Sequence, residues 1–200
     1  MTLSIRVLAV TDRNELAALV EGNLPALEPG LSLLERRFPA GQVLVDFLAL
    51  DAGRRLVLCL LGSGSDTAML VQAVEAYGWC DENVALLERL FPGARIDTTV
   101  PPRLVLLAPR FSDSLRRTAR YLGPLSPALV ECRRLEVNGA RGVCFEAVEG
   151  MPIPGPSISA VGNADDVGST RAEAPEDAAP ARVRQLVRHL ERLSFREAFR

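Results

Sequence analysis

Apolar and polar positions follow two rhythms along this chain, and the switches between them mark its elements. Residues 4–10 read as a strand and 12–22 as a helix opened by Thr11 or Asp12 as N-cap. "NLPALEPG" reads as a loop. In "LSLLERRF", Leu31, Leu34 and Phe38 stand at helical spacing ahead of Pro39, which predicts a short helix. "QVLVDFLALDAGRRLVLCLL" is two apolar runs around "DAGR". That is the signature of a hairpin with a two-residue turn and Gly53 free to take positive φ. With Asp51 facing Arg54, Asp46 falls across from Cys59 and Leu44 across from Leu61, so these four share one face. Residues 66–91 carry a long helical pattern through Met69, Leu70, Ala73, Val74 and Tyr77, with a bend expected at Gly78. Residues 103–109 form a buried strand, and 112–123 a helix capped by Ser112 and stopped by Gly123. Residues 128–148 form a second hairpin turning at Asn138-Gly139.

Helices interleaved with hairpins and a lone strand give an α/β class, a mixed sheet flanked by helices. Composition shifts after residue 150. The stretch from 151 to 180 is rich in proline and acids and reads as a linker. Residues 181–200 form an amphipathic C-terminal helix with Val183, Leu186, Val187, Leu190 and Leu193 on one stripe. This stripe suits docking on the core or on a second copy, a homodimer. No run approaches the ~20 apolar residues of a membrane span. The first residues read as strand and helix, not as a signal peptide. A cytoplasmic protein with no membrane partner is expected.

Charge sharpens this picture in one respect. The net charge of -2 is nearly neutral, yet all 23 basic residues are arginine. Lysine chemistry is excluded, including Schiff bases, a lysine general base and a P-loop lysine. Eight arginines against three acids lie between residues 103 and 141, a local excess of +5 in a chain whose remainder carries -7. Such asymmetry suits either a phosphate-facing surface or an ordinary solvated helix face. Arg110, Arg116, Arg117 and Arg120 are the nucleic-acid-binding candidates. Cys59, Cys80, Cys132 and Cys144 have no CxxC spacing and His189 is the sole histidine, which argues against zinc and for buried free thiols.

"LVLCLLGSG" (56–64) is a strand that stops at Gly62-Ser63-Gly64. It lacks the GK[ST] of a phosphate loop. With its surroundings, "VDFLALDAGRRLVLCLLGSGSDTAMLVQAVEAYGWC", it resembles the core of the PD-(D/E)xK nucleases, most of all the NucS branch and its RecB-like relatives. The downstream "PPRLVLLAPRFSDSLRRTARYL" and "RRLEVNGARG" are similar to that branch as well. The resemblance spans residues 25–150 and leaves 1–24 as an N-terminal strand-helix extension. It implies a restriction-endonuclease-like mixed sheet. It places Asp46 at the family's aspartate, Gln72 at its helix glutamine and Glu35 at the glutamate of its preceding helix. Cys59 then stands at the catalytic glutamate and Leu61 at the catalytic lysine.

The resemblance therefore implies a catalytically degenerate endonuclease-like protein that binds DNA or other nucleic acid without cleavage and needs no cofactor. Cys59 is too soft for Mg²⁺ and Leu61 can move no proton. Two alternatives stay open. Glu75, one turn after Gln72, could join Asp46 and Glu35 in a migrated site that uses Mg²⁺ or Mn²⁺. The chain could instead be a non-enzymatic homo-oligomeric scaffold.

Overall fold

A computed structural model describes residues 5–10, 12–65, 67–149 and 157–160. The predicted C-terminal helix, most of the predicted linker and the N-cap candidate Thr11 lie outside them. Strand β1 (Ile5–Leu8) and helix α1 (Arg13–Glu21) are followed by a short helix, α2 (Leu24–Leu27). Next come three strands, β2 (Ser32–Ala40), β3 (Val43–Leu50) and β4 (Leu56–Leu61). Helices α3 (Ala68–Glu82) and α4 (Val84–Leu90) lead to β5 (Arg103–Ala108) and α5 (Asp113–Arg120). The hairpin β6 (Ala128–Val137) and β7 (Ala140–Glu149) follows, then β8 (Ser157–Ala160), which falls inside the stretch read as linker.

The expected α/β class holds. One mixed sheet runs in the order β2-β3-β4-β5-β6-β7-β8, with β4, β5 and β6 parallel. Strand β1 pairs antiparallel with β6 on the edge that β5 also uses: β5 covers Ala128 to Glu131 and β1 covers Arg134 to Val137. Every residue of β4 and β5 is buried, as strands covered on both faces must be. One face packs under α3, α4 and α5 through Leu70, Ala73, Leu87 and Leu115. The other packs under α1 and α2 through Leu16, Val20, Leu24 and Leu27. Each such leucine contributes ~1.5–3 kcal/mol by leaving water. Among the described residues no helix is long and apolar enough to cross a membrane.

Four expectations are corrected. First, residues 31–38 are not a helix; all but Leu31 belong to the edge strand β2. A register shift between Leu33 and Glu35, and Arg37 at φ 49°, break its alternation. These irregularities mimic helical spacing, and Pro39 is tolerated because an edge strand leaves one side unpaired. Second, part of the "NLPALEPG" loop is helix α2, with Pro25 in its first turn, where a missing N–H costs nothing.

Third, the first hairpin is one residue out of the expected register. Phe47, not Asp46, faces Cys59. Asp51 N donates to Arg55 O and Arg54 N to Asp51 O (both 3.0 Å), which closes a three-residue loop with Arg54, not Gly53, in the left-handed region. Asp51 Oδ1 holds the turn by accepting from the N–H groups of Gly53 and Arg55. Fourth, the long helix breaks at Asn83, whose side chain donates to Trp79 O, and not at Gly78. The second hairpin turns as expected, with Asn138 and Gly139 both at positive φ, and the Ser112 hydroxyl caps α5 by accepting from Leu115 N.

Gly62-Ser63-Gly64 is a packed turn. Gly62 N donates to Leu107 O, and Gly64 O accepts from Ser112 N at 2.8 Å. Gly64 has φ 75°, and a Cβ there would stand 1.9 Å from Arg110 O. Gly64→Ala is expected to cost about 2–4 kcal/mol in urea unfolding. Gly78→Ala, inside α3 with nothing within 4 Å of the added carbon, should be neutral or stabilise by up to ~1 kcal/mol.

Candidate functional site

Asp46 lies in β3, where strand alternation fails. Val45 and Leu48 both face the α3 side, while Phe47 and Ala49 face the α1 side. Two residues thus intervene where alternation allows one: Asp46 continues the alternation of Val43 and Val45 and faces α1, and Phe47 after it faces that side as well. Its carboxylate is only 11% exposed. Nη2 of Arg13, the first residue of α1, donates to both Oδ1 (2.8 Å) and Oδ2 (2.9 Å). Leu61 N donates to Oδ2 at 2.7 Å. The carboxylate is therefore paired and hydrogen-bonded, as a nearly buried charge must be.

A groove of about 740 Å³ opens beside this pair. Arg13, Arg36, Arg37 and Gln72 border it together with Asp46, Glu21 and Glu75. Arg36 pairs with Glu21. Gln72 and Glu75 are exposed on α3, one turn apart. Three arginines meet three acids here, so the groove is electrically balanced. Of the residues that the sequence singles out, Asp46, Gln72 and Glu75 come together. Glu35 does not join them: it is on strand β2 rather than on a helix, and its Oε1 accepts from Arg36 N.

Cys59 is wholly buried beside Phe47 and Val105. Burial pushes its thiol up to about 12, with Arg103 pulling it down and Glu28 and Asp46 adding to the rise. It is a neutral core thiol at physiological pH. Leu61 is buried too, and its contribution to Asp46 comes from its backbone N–H. All four cysteines are free; Cys59, Cys80 and Cys132 are buried as expected, whereas Cys144 is only half-buried.

The arginines of residues 103–141 separate into distinct environments. Arg103 is buried and donates to Glu28 Oε2 at 2.6 Å. Arg116 and Arg133 each donate to Glu131, at Oε1 and Oε2 respectively and both at 2.6 Å, while Phe111 N adds a bond of 3.1 Å to Oε1. Arg110, Arg117 and Arg120 are exposed. Burial pushes the Glu131 carboxyl up, but the bonds from Arg133, Phe111 N and Arg116 outweigh it and hold it below the usual glutamate range.

Sequence reading missed two partners. Arg13 stands 33 positions from Asp46, and the only available hint was that an acid among Val, Leu and Phe needs a counter-ion. Glu131 lies in "ALVECRRL", where the alternation already assigns it to one face of a strand.

No protein-family model matches the chain, and no curated protein matches it either. Two solved structures are similar. One is a repair endonuclease from Pyrococcus abyssi, 18% identical, covering 57% of this chain and 45% of that one at a TM-score of 0.43. The other is EndoMS in a complex with double-stranded DNA, 23% identical, covering 62% of this chain and 46% of that one at a TM-score of 0.38. The chain spans less than half the length of each.

Two outcomes follow from the paired carboxylates. A double-mutant cycle on Arg13→Ala and Asp46→Asn, read by urea unfolding, should give a coupling of about 1–2 kcal/mol, because one partner is nearly buried and the other 58% exposed. Glu131→Gln should destabilise by about 1–3 kcal/mol at pH 7. A carboxyl lowered in the fold contributes stability that is complete above its unfolded value and is lost as pH falls through the folded one. The gap between wild type and Glu131→Gln should therefore be full at neutral pH and shrink below about pH 4.5.

Proposed function

We propose that the protein binds nucleic acid without cleaving it, with the groove beside Asp46 as a nuclease site that no longer assembles. The observation that carries this reading is the Arg13–Asp46 pair. Phosphodiester hydrolysis on a nuclease scaffold needs a divalent cation held by two or more hard oxygen ligands. The donor set around Asp46 does not fit one. Both carboxylate oxygens accept from the Arg13 guanidinium and one of them also from Leu61 N. The side chains at the family's glutamate and lysine positions are a neutral thiol and an apolar leucine. Among the described residues no three of His, Cys, Asp and Glu gather where a metal ion could be held. A guanidinium thus takes the electrostatic place of the cation.

Nucleic-acid binding is supported by the arginines along and ahead of α5. Arg110, Arg117 and Arg120 are exposed, and a phosphate backbone is the natural partner of such cations. A second reading, an active enzyme with a migrated carboxylate, is favoured by one observation: Glu75 borders the same groove as Asp46 and Gln72.

One experiment separates the two. Labelled single-stranded and forked DNA are titrated with the protein across salt concentrations, with and without Mn²⁺, and the products are run on a gel. Binding that weakens steeply with salt and leaves the DNA intact is expected. Arg117→Ala with Arg120→Ala should lower the salt slope by about 2. Cleavage that Asp46→Ala and Glu75→Ala abolish would overturn this reading in favour of the migrated site.

A further inference from the structure

The strand order contains a crevice away from Asp46. Along one edge of β6, β5 and β1 run toward each other and stop, β5 after Glu131 and β1 at Arg134. The chain leaves the two strand ends toward opposite faces of the sheet. After β5 it enters α5, which packs on the side of Leu70 and Leu87. After β1 it enters α1, which packs on the side of Leu24 and Leu27. Connections that part in this way beyond the carboxyl ends of strands open a crevice between them, and open α/β sheets bind ligands there.

The crevice has a volume of about 530 Å³, a size suited to a small organic ligand. Its lining is two-sided. Val7, Val10 and Pro109 supply an apolar part, while Arg110, Arg116 and Arg133 supply cations around Glu131. Glu131 is 1% exposed and holds the guanidinium groups of Arg116 and Arg133 in place from beneath. Each of those arginines keeps donors beyond the one spent on Glu131, since a guanidinium carries five. Nε of Arg116 is buried with no partner among the described residues. Arg110 is exposed and makes no ion pair among them. Arg133 also touches Glu146, on β7, at 3.1 Å. The lining itself carries three positive charges against one negative.

We propose that this crevice binds a nucleotide through its phosphate monoester, with Arg110, Arg116 and Arg133 on the phosphate and the apolar wall of Val7, Val10 and Pro109 along the nucleoside. A monoester, with close to two charges at neutral pH and three terminal oxygens, offers an acceptor to each of the three guanidinium groups, which a diester with two free oxygens does not. Planar guanidinium groups suit phosphate oxygens in paired contacts. The same chemistry is offered by a free mononucleotide and by the phosphorylated end of a strand. The strand-end source rests on the nucleic-acid reading above; the free nucleotide does not.

The test measures binding of deoxyadenosine monophosphate, deoxyadenosine and inorganic phosphate by calorimetry. In parallel, anisotropy compares one labelled oligonucleotide with and without a 5′-phosphate. Arg110→Ala is the informative variant because its side chain is exposed and makes no ion pair among the described residues, and an unchanged melting temperature checks its fold. The monophosphate is expected to bind at least about tenfold more tightly than the nucleoside, an advantage that Arg110→Ala abolishes and Arg89→Ala, at an exposed position of α4, leaves intact. A matching preference for the phosphorylated oligonucleotide assigns the strand end as the source. Its absence, with the monophosphate still bound, assigns the free nucleotide. Monophosphate binding without any oligonucleotide binding upholds the crevice and removes the nucleic-acid reading. Equal binding of monophosphate and nucleoside, or a monophosphate affinity that Arg110→Ala does not change, overturns the crevice proposal, and oligonucleotide binding would then stand alone.

Discussion

A strand pair with water on neither face must be roofed and floored. All side chains of β4 and β5 are buried, so the chain has to lay helices on both sides of the sheet's centre. It does this with α3, α4 and α5 on one side and α1 and α2 on the other. Everything with a charge is then displaced to the margins of those layers. Asp46 comes to rest where β3 loses its alternation beside α1, Glu131 where β5 gives out beneath α5, and Arg103 at the start of β5 beside Glu28.

Each of these marginal charges is handled by the same rule. A carboxylate that cannot reach water takes a guanidinium from a helix or a neighbouring strand, often with a backbone N–H beside it. The consequences differ because the geometry differs. At Asp46 the pairing satisfies the acid and leaves a balanced groove. At Glu131 one acid serves two arginines, so the cations outnumber it and keep donors to spare. A single rule thus yields one quiet site and one electropositive site in the same molecule.

What could be read from the chain follows from how local each signal is. The β4 and β5 strands, the Asn138-Gly139 turn and the Ser112 cap are written in neighbouring residues and were legible. The β2 strand was not, because the extra residue near Leu34 and the left-handed Arg37 disturb the alternation on which such reading depends. The first hairpin was legible as a hairpin but not in register, because a left-handed arginine took the place in the turn that glycine usually fills. The site was legible in part: Asp46, Gln72 and Glu75 were found and do share a groove. The partners that define its chemistry were not, since Arg13 meets Asp46 only after the sheet has brought distant segments together. The arginine-rich stretch of residues 103–141 was visible as a charge count. Its division into buried ties and exposed cations is a property of the fold.

The pairing of β1 with β6 carries a consequence for how the molecule comes into being. Ile5 lies against Val137 and Leu8 against Arg134, so β1 is matched with a strand far along the chain. During synthesis β1 has no native sheet neighbour until the chain has grown past residue 137, and closing so long a loop is slow compared with forming local hairpins. Until β6 has emerged, the growing chain therefore carries an unmatched strand that a second chain could capture.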